Sequence, residues 1–309
     1  MADTRDSGSS RLAIIAGLTM IGIYAVQFVA ARFSLREHLT AVDLAALRFA
    51  GAGVVFLPIV WLRRFATLKA LGWQRALALA ALAGLPYPLI INWGLTYAPA
   101  AHAAALCPAS IVFFSFLLSR LAFNEGASRQ RTIGVVAIVA GLSLFIAPGR
   151  DGTGGVLFGD MLFIGSGLMF SGYAVLVRRW RADPVTATAA VVFLSCLPLP
   201  VLYFFAPSHI HAAAVTEIVS QIVIQGILAG AAAMFLYTYI VGQLGPQMAS
   251  LFLPGVPIAT VFIGMAILGE TPLAIQFTAI AIMAIGMGLS AVGGRISGKR
   301  LNEPAPGGS

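Results

Sequence analysis

LCPASIVFFSFLLSRLAFNE, residues 106–125, and LFLPGVPIATVFIGMAILGE, residues 251–270, are two versions of one segment. Each is an apolar run with proline near its start and glutamate at its end. An offset of 145 positions separates Glu125 from Glu270 and brings Pro108 to within one residue of Pro254. Outward from there, Gly141 and Gly286 each follow their glutamate by sixteen residues, and Gln130 and Gln276 follow by five and six. Earlier in the halves, Tyr24-Ala25-Val26 returns as Tyr173-Ala174-Val175. A unit repeated inside an apolar chain points to a transporter built from structural repeats.

Composition agrees. Of the 309 residues 59% are hydrophobic and only 10% charged, with a mean hydropathy of +0.93. A soluble domain needs far more charge to cover its surface. Ten apolar stretches can be drawn, each near the ~20 residues that cross a bilayer core. They are Leu12–Ala31, Ala41–Leu62, Ala76–Tyr97, Ala100–Leu121 and Thr132–Ala147 in the first half. The second half gives Val156–Val177, Thr186–Phe205, Ile218–Val241, Ala249–Leu268 and Leu273–Val292. No small-residue cleavage site follows the first run, which therefore reads as a retained helix.

The net charge of +8 is a matter of topology. With the N-terminus in the cytoplasm, Arg5, Arg11, Arg63, Arg64, Lys69, Arg75, Arg120, Arg129, Arg131, Arg178, Arg179, Arg181, Arg295, Lys299 and Arg300 fall on the cytoplasmic side. Only Arg32, Arg36 and Arg150 fall outside, and Arg48 lies within a span. That is the positive-inside bias, with Trp61, Trp73 and Trp180 at the same edge as interfacial anchors. No nucleic-acid partner is implied. Both termini are then cytoplasmic, and five spans per half make the repeat inverted. The expected organisation is a cytoplasmic N-terminus (1–11), a first five-helix repeat (12–148), a second, inverted one (149–293) and a disordered cytoplasmic tail (294–309). The fold class is an all-α membrane protein.

Polar and helix-breaking residues inside spans ask for a role. Arg48 must pair, snorkel or line water, so structural pairing and binding of a substrate carboxylate both stand open. Asp43 shares its helix face poorly. His102, near the outer end of the fourth span, suits a bond to a backbone carbonyl better than proton coupling. Asp160 and Glu217 begin spans, where helix N-termini favour carboxylates, and Glu125 and Glu270 suit caps or pairs at helix ends. Tyr24, Gln27, Arg48, Tyr87, Asn92, His102, Phe114, Tyr173, Tyr237 and Gln247 together could line a cavity for an amphipathic organic molecule. Pro108, Pro254 and Pro257 are candidate hinges. Gly226 and Gly230 suit tight internal helix packing. Cys107 and Cys196 read as buried thiols. No cofactor or metal is called for: H-E-x-x-H, G-x-S-x-G and P-loop patterns are all missing, and the chain does not read as an enzyme.

The proline-to-glutamate segments, the order of the spans and Leu47-Arg48-Phe49 in the second span resemble the drug/metabolite transporter superfamily. More narrowly the chain looks like tandem EamA domains from Leu12 to Val292. Gly126 and Thr271 stand where many relatives carry a basic residue after the glutamate. The chain is most similar to YddG-type exporters of aromatic and neutral amino acids. The resemblance implies efflux by alternating access around a midplane cavity, with the lipid bilayer and a small amphipathic substrate as partners. It sets no oligomeric state. With His102 or an outer-end acid as the available titratable groups, facilitated diffusion or exchange is expected. A multidrug or quaternary-cation proton antiporter is the rival, and a lipid-modifying membrane enzyme or a channel more distant ones.

Overall fold

The computed structural model describes residues 3–62, 71–124, 128–147, 154–206, 208–233, 236, 240 and 252–302. Glu125, Gly126, Tyr237, Tyr239 and Gln247 lie outside the described residues, as do Arg63, Arg64, Lys69 and Arg150. Regular structure among the described residues is helical throughout. Eight helices are long and apolar enough to cross a membrane, and shorter apolar helices follow at Gly255–Leu268 and Ala274–Ser290. Such a chain must satisfy its backbone within each segment, because lipid offers no hydrogen bonds.

The helices are α1 (Asp3–Glu37), α2 (Ala41–Leu62), α3 (Trp73–Ala83), α4 (Pro86–Tyr97), α5 (Ala100–Phe123), α6 (Arg129–Ile146), α7 (Gly154–Trp180), α8 (Pro184–Cys196), α9 (Leu199–Phe205), α10 (Val215–Gln221), α11 (Gly255–Leu268) and α12 (Ala274–Asn302). Several starts carry their cap in the sequence. Thr40 and Asp43 form a reciprocal capping box: the Asp43 carboxylate accepts the Thr40 N–H at 2.9 Å, and the Thr40 hydroxyl accepts the Asp43 N–H at 3.2 Å. Asp183 caps α8 through Thr186 N–H at 2.9 Å, and Ser128 caps α6 through Arg131 N–H. Asn124 and Gly269 end α5 and α11 in the left-handed conformation.

Three of the expected spans are irregular. The third breaks at Gly84, between α3 and α4, where Pro86 cannot continue the ladder. The N–H freed at Leu85 is met by the Ser195 hydroxyl of α8 at 3.0 Å. The seventh breaks at Pro198, between α8 and α9. In the eighth, α10 runs into a π-helix over Ile222–Ala232, far longer than the single-turn bulges that are usual. The ninth also differs from expectation. Pro254 is the N-cap of α11 and Pro257 lies in its first turn, where a missing N–H leaves no carbonyl unpaired. Of the three hinge candidates Pro108 alone lies beyond the first turn of its helix, α5.

Helices from the two halves of the chain interleave. α6 runs along α12, α5 along α7, α2 along the π segment, and α1 along α11. Two of these crossings bring backbone against backbone. A Cβ on Gly226 would meet Gly51 Cα at 2.5 Å and the Arg48 carbonyl at 2.8 Å, so the small residues serve internal packing. A Cβ on Gly286 would meet the Gly134 carbonyl at 2.7 Å and the Ile138 nitrogen at 2.9 Å. Valine at Gly286 must therefore push α6 and α12 apart. We expect Gly286→Val to cost at least the ~1–3 kcal/mol typical of overpacking, read as a lower thermal midpoint in detergent. Gly165, with nothing within 4 Å of its added Cβ, should accept valine with no such loss.

Candidate functional site

The polar residues gather in two places. At one end of the bundle meet the α1–α2 and α4–α5 turns and the beginnings of α7, α10 and α12. Glu270 is the hub there. Its Oε1 accepts Arg36 Nη2 at 2.6 Å and Arg32 Nε at 3.2 Å, both from α1. Its Oε2 accepts Ala100 N–H at 2.9 Å, at the start of α5, where a carboxylate is favoured by the helix dipole. Arg32 also donates to the Leu95 carbonyl of α4 and Arg36 to the Leu268 carbonyl of α11. Glu270 thus caps and pairs, as its place in the sequence suggests.

Asp43 does the same for the other side of this end. It accepts Tyr203 OH at 2.7 Å, Ser208 Oγ at 2.6 Å and His209 N–H at 3.1 Å. Glu217 pairs with His38 at 3.4 Å beside a groove of about 460 Å³ between α1, α10 and α11. Gln221 and Gln225 donate to the α1 carbonyls of Ala30 and Gln27 at 2.9 and 3.1 Å. Asn92 donates to the Ala41 carbonyl at 3.3 Å, so it joins α4 to α2.

His102 corrects the expectation of a carbonyl partner. Its Nδ1 lies 2.7 Å from Asp160 Oδ1 and its Nε2 3.0 Å from Gln276 Nε2, with the Phe145 ring edge-on at 4.7 Å. The pair is sealed: Asp160 is 0% exposed and His102 6%. Asp160 is also deeper than a helix-start carboxylate, six residues after the first residue of α7, or about 9 Å along it.

The second gathering lies farther along the helices. Arg48 is seven residues into α2, about 10 Å along. It is half-buried and within electrostatic reach of the Tyr87 and Tyr24 hydroxyls. It makes no hydrogen bond or ion pair with any described residue, and Asp43 is engaged elsewhere. Tyr87 meets Phe170 at 5.4 Å, and Phe170 meets Tyr173 at 5.5 Å. Phe114 stacks edge-on with Phe113 at 5.0 Å. Gln27 is buried with its Oε1 unpartnered. The structure therefore brings Tyr24, Arg48, Tyr87 and Tyr173 toward one another through Phe170, and leaves Asn92 and His102 in the polar end. Phe170, absent from the sequence-derived set, is the link between them; its place three residues before Tyr173 was the available signal.

At the opposite end, arginines lie over aromatic rings: Arg178 over Phe123 at 4.4 Å, Arg131 over Phe116 at 5.2 Å and Arg75 over Trp180 at 5.6 Å. One end is thus cross-linked by carboxylates and the other lined with cations. A family model of EamA-like transporters matches residues 11–147 and matches again over 157–292. The chain belongs to the EamA-like transporter family. It is a multi-pass membrane transporter. An uncharacterized transporter from Archaeoglobus fulgidus is 23% identical over 267 residues, covering 86% of this chain and 93% of the relative. A solved crystal structure shares the fold with a TM-score of 0.59 at 19% identity, covering 91% of this chain and 98% of the other. In this EamA-like chain Glu270 and Gln276 belong to the second matched stretch, while Arg32, Arg36, Ala100 and His102 belong to the first. The polar end is therefore where the two matched stretches are joined.

Removing that joint has a predictable cost. Glu270→Gln leaves Arg32 and Arg36 without their counter-ion, and breaking a buried pair typically costs about 3 kcal/mol or more. Its thermal midpoint in detergent should fall well below that of Arg36→Ala, whose side chain is the more exposed partner.

Proposed function

We propose that this transporter exports small carboxylate-bearing metabolites, neutral and aromatic amino acids foremost, and that Arg48 is the group that binds the carboxylate. The observation that carries this reading is a guanidinium that no described residue pairs. A charge at such depth is costly and faces protein or water, and this one has neutral phenols beside it. A cargo carboxylate would complete it, while Tyr24, Tyr87, Phe170 and Tyr173 offer flat apolar walls to a side chain. A quaternary-cation cargo fits poorly beside a cation that no described acid neutralises.

In this reading the ten expected spans form an inverted five-plus-five repeat. The contact pattern supports the repeat itself: exchanging the halves turns the α1–α11 pairing into α7–α5, and the pairing of α2 with the π segment into α8–α3. The carboxylate-linked end then faces outward and is shut, and the arginine-lined end faces the cytoplasm. Ala100 to Ser110 of α5 are all buried, whereas Ile111 to Phe116 are half-buried, which supports access from the cytoplasmic side. Alternating access follows if the polar end parts while the other end closes.

Labelled amino-acid flux into proteoliposomes tests the cargo. A hydrogen bond to a charged group contributes about 1.5–3 kcal/mol, so Arg48→Gln should lower kcat/KM about ten- to hundredfold. Full flux in Arg48→Gln, or displacement of cargo by tetraalkylammonium ions, would sink the assignment. The hinge separates in the same assay. Pro108→Ala restores an N–H to the middle of α5 and should slow exchange between states, whereas Pro254→Ala, at a helix start, should remain close to wild type.

A further inference from the structure

The cargo reading makes no use of His102, Asp160 and Gln276. Their geometry fixes where the protons are. Gln276 is the third residue of α12, and its Oε1 accepts the Leu273 N–H at 2.9 Å, the glutamine half of a capping box. That bond sets the orientation of the amide, so the Gln276 amino group is what faces His102 Nε2 at 3.0 Å. Nε2 must then offer a lone pair, and the imidazole hydrogen sits on Nδ1, donated to Asp160 Oδ1 at 2.7 Å. The histidine is neutral in this arrangement. The carboxylate beside it is fully buried, and its Oδ2 has no hydrogen-bond partner. A buried carboxylate facing a neutral imidazole is an uncompensated charge, and one vacant position nearby, Nε2, can take the proton that would compensate it.

Among the described residues no other group nearby does so. From α1 come Arg32 and Arg36, already paired with Glu270, whose second oxygen holds Ala100 N–H two residues before His102. α5 itself brings Cys107, within electrostatic reach of Asp160 and hydrogen-bonded to Ser166. α4 brings Tyr97, turned onto Phe158, and, deeper, Tyr87. α6 brings the Phe145 ring edge, and the described part of α11 carries no ionisable side chain.

We propose that His102 and Asp160 form a proton-binding site, and that Gln276 reads its state and couples proton entry to opening of the polar end. This rests on the transport reading above. A proton from water at the polar end adds to Nε2 and makes His102 an imidazolium, balanced by Asp160. Two donors then face each other across the Gln276 contact. The amide can meet the imidazolium only by turning its oxygen toward it, which gives up its cap on Leu273. Protonation thus strengthens the α5–α7 contact and uncaps the start of α12. Since α5 lies in the first matched stretch and α7 and α12 in the second, both changes fall where the halves meet.

The test uses purified full-length protein in proteoliposomes holding an entrapped pH-sensitive dye, with labelled amino acid exchanged at fixed pH and then driven net. Infrared difference spectra of the substrate-free protein between about pH 5 and 8 give a second readout. We expect wild type to move protons with cargo and to show a carboxylate–imidazole titration. His102→Gln and Asp160→Asn should lose proton movement and that titration, while exchange at fixed pH persists at a reduced rate. Gln276→Glu places an acceptor opposite Nε2 and should shift the midpoint of the pH profile upward, a change that a purely structural role would not produce. A wild type that moves amino acids with no protons and a flat pH profile overturns the proposal and leaves the cargo reading standing. Absence of the infrared titration overturns it as well. A titration lost in both variants, with no amino-acid flux in wild type, upholds the proton site and discards the amino-acid cargo.

Discussion

A carboxylate cannot stay charged in an apolar bundle unless something compensates it, and at Glu270 three groups from two helices do so. Arg32 and Arg36 come from the last turns of α1, and the Ala100 N–H from the first turn of α5. The arginines carry the connection onward to the carbonyls of Leu95 and Leu268. One side chain therefore fixes the relative positions of α1, α4, α5 and α11 at a single end of the molecule. Breaking any one strand of this web leaves another member exposed to a penalty, so the end opens as a unit or stays closed. The buried His102–Asp160 pair and the Asp43 hub flank it, and the same constraint governs them.

Deeper in the bundle a different constraint applies. Backbone meets backbone at Gly51–Gly226 and Gly134–Gly286, which leaves no side chain to cushion relative motion. These crossings join elements of opposite halves. The breaks fall beside them: the π segment begins at Ile222, and the α3–α4 break is completed by a hydroxyl from α8. Irregular backbone at such depth is tolerated where other protein groups meet it, and Ser195 does that at Leu85.

Much of this was readable beforehand, and the limit follows sequence distance. The apolar spans and the pairing character of Glu270 rest on local rules that a single sequence carries. The residue type at Arg48 signalled a buried charge, and the structure adds that no described group pairs with it. His102 was misjudged because its partners lie 58 and 174 residues away, and nothing local distinguishes a histidine bonded to a carbonyl from one bonded to a carboxylate. Pro254 was placed inside a span for the opposite reason. Its symmetry with Pro108 is real in sequence, but a proline at a helix start and one inside a helix differ by a few residues of helix length, which hydropathy does not resolve. The π segment had no signal, because its apolar pattern suits an α-helix equally well.

The distribution of charge gives the molecule a direction. Cations at the arginine-lined end rest on aromatic faces, contacts that contribute about 0.5–1 kcal/mol each when exposed and can be exchanged for water one at a time. The other end is held at carboxylates that are themselves buried. In the proposed alternating access, opening the first end is gradual and opening the second is close to all-or-none. In that reading the transporter rests with its site exposed to the easy side. It needs a specific event, such as cargo binding or a change in charge, to expose the other. The Glu270 web supplies the cooperativity. Because its carboxylate is already compensated by two arginines, it is a poor receiver for such an event, and the uncompensated Asp160 beside it is the better one.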